Sequence, residues 1–249
     1  MTEKKELETN LKRLKMPAVA NNLDLRLREA RENDLGYVDF LSLLIQDEIA
    51  SRESNNLAKK IRDAGFPSAL SFEQFDFNFN KEVLPPATVR DLACCRFIER
   101  FENLVFCGPP GIGKSHIASA IGNEACRRQM DVIFRKTSKL ISELSDPLYP
   151  KRRANLLKKT IGCHLLILDD FAFRKYSQEE SEILYSIADE RLGKKSTIIT
   201  SNRPPEDWYA VFPDPVIGGA ILDRFVSSAI KLIVAKGKSY RKEKNILSK

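Results

Sequence analysis

The chain has 249 residues, is 43% hydrophobic and 30% charged, and carries a formal net charge of +7, an ordinary globular balance that argues against wholesale disorder. Its longest apolar runs, such as Leu165 to Leu168, fall far short of the roughly 18 residues of a membrane span, and the charged start Glu3-Lys4-Lys5-Glu6 lacks the apolar region of a signal peptide, so a cytoplasmic location is expected. Five cysteines without a CxxC pair and two distant histidines, His116 and His164, support neither a disulfide framework nor a zinc site.

Taken in chain order, Leu7, Leu11 and Leu14 share one helical face, and Met16-Pro17 ends that segment. Leu23, Leu27 and Ala30 mark a second helix, broken by Asn33-Asp34-Leu35-Gly36. Phe40, Leu41, Leu44, Ile45, Glu48 and Ile49 form the broad stripe of a third. A small all-helical N-terminal domain is therefore expected over 1–64. Near its end Lys59 and Lys60 lie in a basic run that either touches phosphate or forms a solvated face.

Residues 65–86 form an aromatic connector, with Gly65-Phe66-Pro67 followed by Phe72, Phe75, Phe77 and Phe79. Interleaved Glu73 and Asp76 favour packing onto a neighbouring domain over stacking on nucleic acid. From 87 to 249, strands alternate with helices, which predicts an α/β domain with a mostly parallel sheet. The expected strands are 104–107, 132–135, 165–169, 197–201 and 229–234. The expected helices are 87–100, 114–128, 138–144, 151–161, 179–192 and 217–225.

Gly108-Pro109-Pro110-Gly111-Ile112-Gly113-Lys114-Ser115 fits G-x-x-x-x-G-K-[ST] without a mismatch, between an apolar strand and a helix. Glycines at these positions let backbone N–H groups wrap a phosphate, and the helix N-terminus adds its dipole. Lys114 is expected at the β- and γ-phosphates of ATP, and the Ser115 hydroxyl on Mg²⁺. His116, next in the helix, is counted with the nucleotide-binding residues; a structural role suits both histidines better than a catalytic one.

Four apolar residues end in Asp169-Asp170. A buried strand that delivers acid at its C-terminal end supplies a metal ligand, Asp169, and a group that orients or deprotonates water, Asp170. The strand Thr197 to Ser201 likewise ends at Asn202, placed to hydrogen-bond the γ-phosphate or the lytic water. Arg224 lies beyond it. Two readings stay open there: an arginine supplied to a neighbouring copy, or an ion pair with Asp223 or another acid of the same chain.

With these motifs together, the chain resembles the IstB family of insertion-sequence helper ATPases, allied to DnaC-type helicase loaders, both of the AAA+ class. The likeness rests on Phe66-Pro67 to Phe79, Gly108–Ser115, Leu165–Asp170, Thr200–Pro204, Leu222–Phe225 and Ser239-Tyr240-Arg241. It implies a five-stranded AAA+ P-loop fold and a Mg²⁺-dependent ATPase. It also implies a homo-oligomer with ATP at subunit interfaces that assembles on double-stranded DNA, bends it and recruits the transposase of the same element. It assigns Asn202 as sensor-1, Arg224 as arginine finger and Arg241 to the sensor-2 role. Asp170 stands where most AAA+ proteins carry Glu, and the 24 residues after Phe225 are too few for a full C-terminal lid.

Charge is uneven: residues 1–80 hold 12 Lys and Arg against 14 Asp and Glu, whereas 81–249 hold 29 against 20. Arg135, Lys136, Lys139, Lys151, Arg152, Arg153, Lys158 and Lys159 face only Glu143 and Asp146 over 135–159. A solvated surface and a DNA surface are equal readings of that cluster alone; the resemblance favours DNA, bound with little sequence preference. The alternative partner is a replicative helicase. A small-molecule kinase would need a lid and an acceptor pocket for which little chain remains.

Overall fold

Pro17 opens the second of three N-terminal helices, α1 (Thr2–Arg13), α2 (Pro17–Glu32) and α3 (Tyr37–Ala64). Met16, at the α2 N-cap, has no side chain able to accept from the first backbone N–H groups. Glu48 of α3 supplies that acceptor from thirty residues away: its Oε2 accepts from Ala18 N at 2.9 Å and Val19 N at 3.4 Å. Val19, Leu23 and Leu44 form the buried centre, with Leu11, Met16, Leu27 and Phe40 against them. Leu41, Ile45 and Ile49 of the expected stripe are instead about half exposed.

The computed structural model describes residues 2–67, 70–82, 84–240 and 243. Two compact units divide the chain, Met1–Lys59 and Lys60–Lys249. The second is built on five strands, β1 (Leu104–Cys107), β2 (Val132–Lys136), β3 (Leu165–Asp169), β4 (Ser196–Ser201) and β5 (Ile230–Ile233). They lie in the order β2-β3-β4-β1-β5, every neighbouring pair parallel. Parallel strands need crossovers on the faces, so the central strands are covered on both sides and read as continuous apolar runs. β1, β3 and β4 are buried along their whole length.

The flanking helices are α4 (Pro86–Ala93), α5 (Arg96–Glu99), α6 (Lys114–Arg127), α7 (Thr137–Ser145), α8 (Pro150–Gly162), α9 (Gln178–Arg191) and α10 (Pro215–Val226). One helix was expected over 87–100; there are two, because Cys95 takes a left-handed conformation (φ 59°) that no α-helix continues through. Pro205–Val211 forms a 3-10 helix that buries Trp208 against Phe171, with ring centroids 4.7 Å apart.

Arg191, at the end of α9, is 1% exposed. Its guanidinium donates to the carbonyls of Thr160, Ile161 and Cys163 at the end of α8, and to Ser196 O and Thr197 Oγ1 at the start of β4. Burial holds its pKa below the usual arginine value. A buried guanidinium that donates to the last carbonyls of α8 serves here as the C-terminal cap of that helix.

Candidate active site

The carboxyl ends of β1, β3 and β4 converge on a cavity of about 460 Å³. Its floor is the loop after β1, where Gly113 (φ 103°) is the N-cap of α6 and Gly111 has φ 86°. Both angles favour glycine. At Gly111 a Cβ would also meet Ser239 Oγ at 2.2 Å, so the C-terminal segment lies directly on the loop. Tyr240 N donates to Gly111 O at 3.0 Å, which fixes that approach.

Lys114 is buried, with its ammonium donating to Gly108 O at 2.8 Å, Pro109 O at 2.9 Å and Asn202 Oδ1 at 2.8 Å. The cation therefore bridges the loop after β1 and the residue after β4. Asp169, 4% exposed at the end of β3, accepts at Oδ1 from Ser115 Oγ and from Thr200 Oγ1, both at 2.6 Å. Thr200 Oγ1 in turn accepts from Asp170 N at 3.2 Å. One hydroxyl thus ties both acidic residues to β4. Asp170 has φ 54°, a left-handed conformation that turns it away from the strand, and its Oδ2 lies 3.2 Å from Lys136 Nζ.

A buried carboxylate whose partners are two hydroxyls is a hard-oxygen donor set of the kind Mg²⁺ takes. Mg²⁺ bound with a triphosphate draws most of its ligands from water and phosphate, so few protein oxygens are needed. Ser115 and Asp169 fit that requirement.

Of the residues singled out in the sequence, Pro110, Gly111, Ile112, Gly113, Lys114, Ser115, His116, Asp169, Asp170 and Asn202 line the cavity. Gly108 and Pro109 are not among the lining residues; their carbonyls accept from Lys114. Arg241 lies outside the described residues. Arg224 is not among the lining residues; it pairs with Asp189 on α9. The opposite wall comes from the aromatic segment: Leu70, Gln74, Phe75, Asp76 and Phe79, with Tyr240. Phe75 meets His116 edge-on at 5.2 Å, Phe79 meets Tyr240 at 5.1 Å, and His116 Nε2 lies 3.0 Å from Ser71 O. Asn80 exchanges two hydrogen bonds with Lys238, donating to its carbonyl and accepting from its N–H.

The basic residues separate into two groups. Lys139, Lys151, Arg152, Lys158, Lys159 and Lys59 are exposed, and Arg153 is half-buried. Lys136 lines the cavity, Arg135 donates to Ala64 O and Phe134 O, and Lys60 is paired with Asp131. Thr200 and the Lys136–Asp170 pair were not singled out as site features. The repeated pattern of an apolar strand ending in small polar residues was the available signal for Thr200; nothing local marks Lys136 apart from its basic neighbours.

A P-loop after β1, acid at the end of β3 and a polar residue after β4 on a five-stranded parallel sheet make a P-loop nucleotide-binding fold of the AAA+ type. The chain belongs to the IstB-like ATP binding protein family, whose model matches residues 9–248. It is similar to an insertion-sequence ATP-binding protein of Mycobacterium tuberculosis, Rv3427c, with 38% identity over 96% of this chain and 94% of that one. The insertion sequence IS21 ATP-binding protein of Pseudomonas aeruginosa is 35% identical over 96% of this chain and 90% of that one. Among solved structures, the DnaC helicase loader shares the fold, with a TM-score of 0.57 and 22% identity over 66% of this chain and 96% of that chain. Among the described residues no helix is long and apolar enough to cross a membrane.

Proposed function

We propose that this protein is a Mg²⁺-dependent ATPase that assembles on double-stranded DNA and recruits the transposase of its own insertion sequence. The observation that carries the catalytic half is the joining of three strand ends through Lys114–Asn202 and Ser115–Asp169–Thr200. The backbone N–H groups of the loop and the N-terminus of α6 receive phosphate, and Lys114 follows its negative charge. Mg²⁺ bound through Ser115 and Asp169 would neutralise charge on the β- and γ-phosphate oxygens. Asp170 orients the attacking water and accepts its proton, while Asn202 fixes the γ-phosphate or that water. Arg224 serves the triphosphate of an adjoining copy, so nucleotide joins subunits and hydrolysis separates them.

The exposed bases on and beside α8 support a duplex-phosphate surface with little base reading. The insertion-sequence names of relatives more than 30% identical over nearly the full chain support a transposase as partner. The likeness to DnaC bears on fold alone, so it does not favour a helicase. Size measurement with Mg²⁺, ATP and duplex DNA tests the reading: large nucleotide-dependent assemblies are expected. A protein that stays as single copies under those conditions overturns it. Capture of a helicase but not the transposase overturns the choice of partner.

A further inference from the structure

Arg224 leaves α10 near its C-terminal end and lies on two residues of α9, Tyr185 and Asp189, which are one turn apart and share a face. Its Nε donates to Asp189 Oδ1 at 2.8 Å, its Nη2 to the Tyr185 hydroxyl at 3.0 Å and its Nη1 to Ala220 O at 3.0 Å. The guanidinium carbon stands 4.6 Å from the centroid of the Tyr185 ring. A guanidinium carries five N–H donors in a planar fork. These contacts use one on each nitrogen and leave one on each Nη for a further acceptor, on a side chain that is 21% exposed.

A staple between α9 and α10 would be the plain explanation, but those helices are already joined by buried Leu184, Ile187 and Ala188 and by Ile221, Leu222 and Phe225. Asp189 is 48% exposed, and an ion pair of that exposure adds little to stability. What the cluster does change is freedom. A long, rotamer-rich side chain is held over a ring and fixed at all three nitrogens, with donors left over. Donors fixed in advance are effective where charge develops in a reaction, because nothing has to reorganise.

We infer that Asp189 and Tyr185 are positioning residues that hold Arg224 ready for the triphosphate of the adjoining copy. The inference rests on the trans role of Arg224 given above. Asp189 orients Nε and keeps the plane of the guanidinium fixed; Tyr185 supplies a ring beneath it and the second anchor. Both act through Arg224 and stand on its own chain, so their effect is felt at a nucleotide bound by another chain.

Mixing full-length variants with Mg²⁺, ATP and duplex DNA tests this. Arg224→Ala chains keep their phosphate loop, and Lys114→Ala chains keep Arg224, so turnover in the mixture reports Arg224 acting across the boundary. Lys114→Ala is expected to restore turnover to Arg224→Ala, and the Lys114→Ala/Asp189→Ala double variant to restore about tenfold less or worse. Tyr185→Phe in the same background should fall between them, since the ring remains. Asp189→Asn keeps an oxygen for Nε and should recover part of the loss. Equal restoration by the Lys114→Ala chain and its Asp189→Ala derivative overturns the positioning role and leaves the trans role standing. Absence of any restoration by Lys114→Ala overturns the trans role and the inference with it. A loss equal in the Ala and Asn forms that tracks a fallen thermal midpoint overturns the inference as a folding defect.

Discussion

Lys136 Nζ lies 3.2 Å from Asp170 Oδ2, so the last residue of β2 holds the acid that follows β3. β2 and β3 are neighbours in register, Lys136 opposite Asp169, which places the two side chains at one strand edge. Lys136 is also the last residue before α7, beyond which lies the exposed basic helix α8. Lys136 is thus the side chain through which the proposed DNA surface would act on the acid. Lys136→Ala is expected to raise ATP turnover without DNA and to narrow the difference that DNA makes. Unchanged rates with and without DNA would remove Lys136 from any such link.

Asp170→Asn removes the proposed proton acceptor but not the loop proposed to hold phosphate. ATP-dependent assembly on DNA should persist while turnover falls by about 10²-fold or more. Retained turnover in this variant would contradict the assignment of Asp170.

Thr200→Val keeps volume and deletes the hydroxyl shared by Asp169 and Asp170. If Asp169 holds Mg²⁺ as proposed, loss of this outer contact to its carboxylate is expected to weaken Mg²⁺ affinity or turnover by about 10–100-fold. Titration of ATPase activity with Mg²⁺ separates the two, and wild-type behaviour in both would show the hydroxyl to be dispensable.

The basic residues differ in what they have left to offer DNA. Lys151, Arg152, Lys158 and Lys159 are exposed, and each alanine variant should lower the slope of log affinity against log salt by about 0.9 if its charge meets phosphate. Lys60→Ala and Arg135→Ala should leave the slope alone, since Asp131 and backbone carbonyls already occupy them. Binding isotherms at several salt concentrations distinguish the groups.

Glu48 predicts an acid-sensitive step in the N-terminal helices. Arg52 and the N–H groups of Ala18 and Val19 hold its carboxyl below the usual carboxylate range. A lowered native pKa adds stability that is fully present above the unfolded value and is lost as pH falls through the native one. Glu48→Gln should therefore be less stable than the parent near neutrality and converge with it in acid. Parallel melting curves at every pH would show that the carboxylate contributes nothing.

The parts of the site that occupy one short run were legible from the chain itself. The phosphate loop, Asp169-Asp170 and Asn202 each end a strand, and all of them line the cavity. β1 and β3 were legible for a related reason, because a parallel strand covered on both faces reads as a nearly continuous apolar run. What escaped depends on distant pairing. Lys136 meets Asp170 only because β2 lies beside β3, and Glu48 caps α2 only because α3 returns along it. The break at Cys95 had no glycine or proline to announce it. The packing expected of the aromatic segment is seen at His116 and Tyr240, but its place as a wall of the nucleotide cavity carries no local signature.

Arg191 gives the domain a tie rod. Because one guanidinium clasps the tail of α8 and the first residues of β4, a tug on the basic helix is borne by the strand whose opposite end carries Thr200. Were α8 to grip a duplex as proposed, tension from it would thereby reach Thr200 and its partner Asp169 along a strand rather than through a loop.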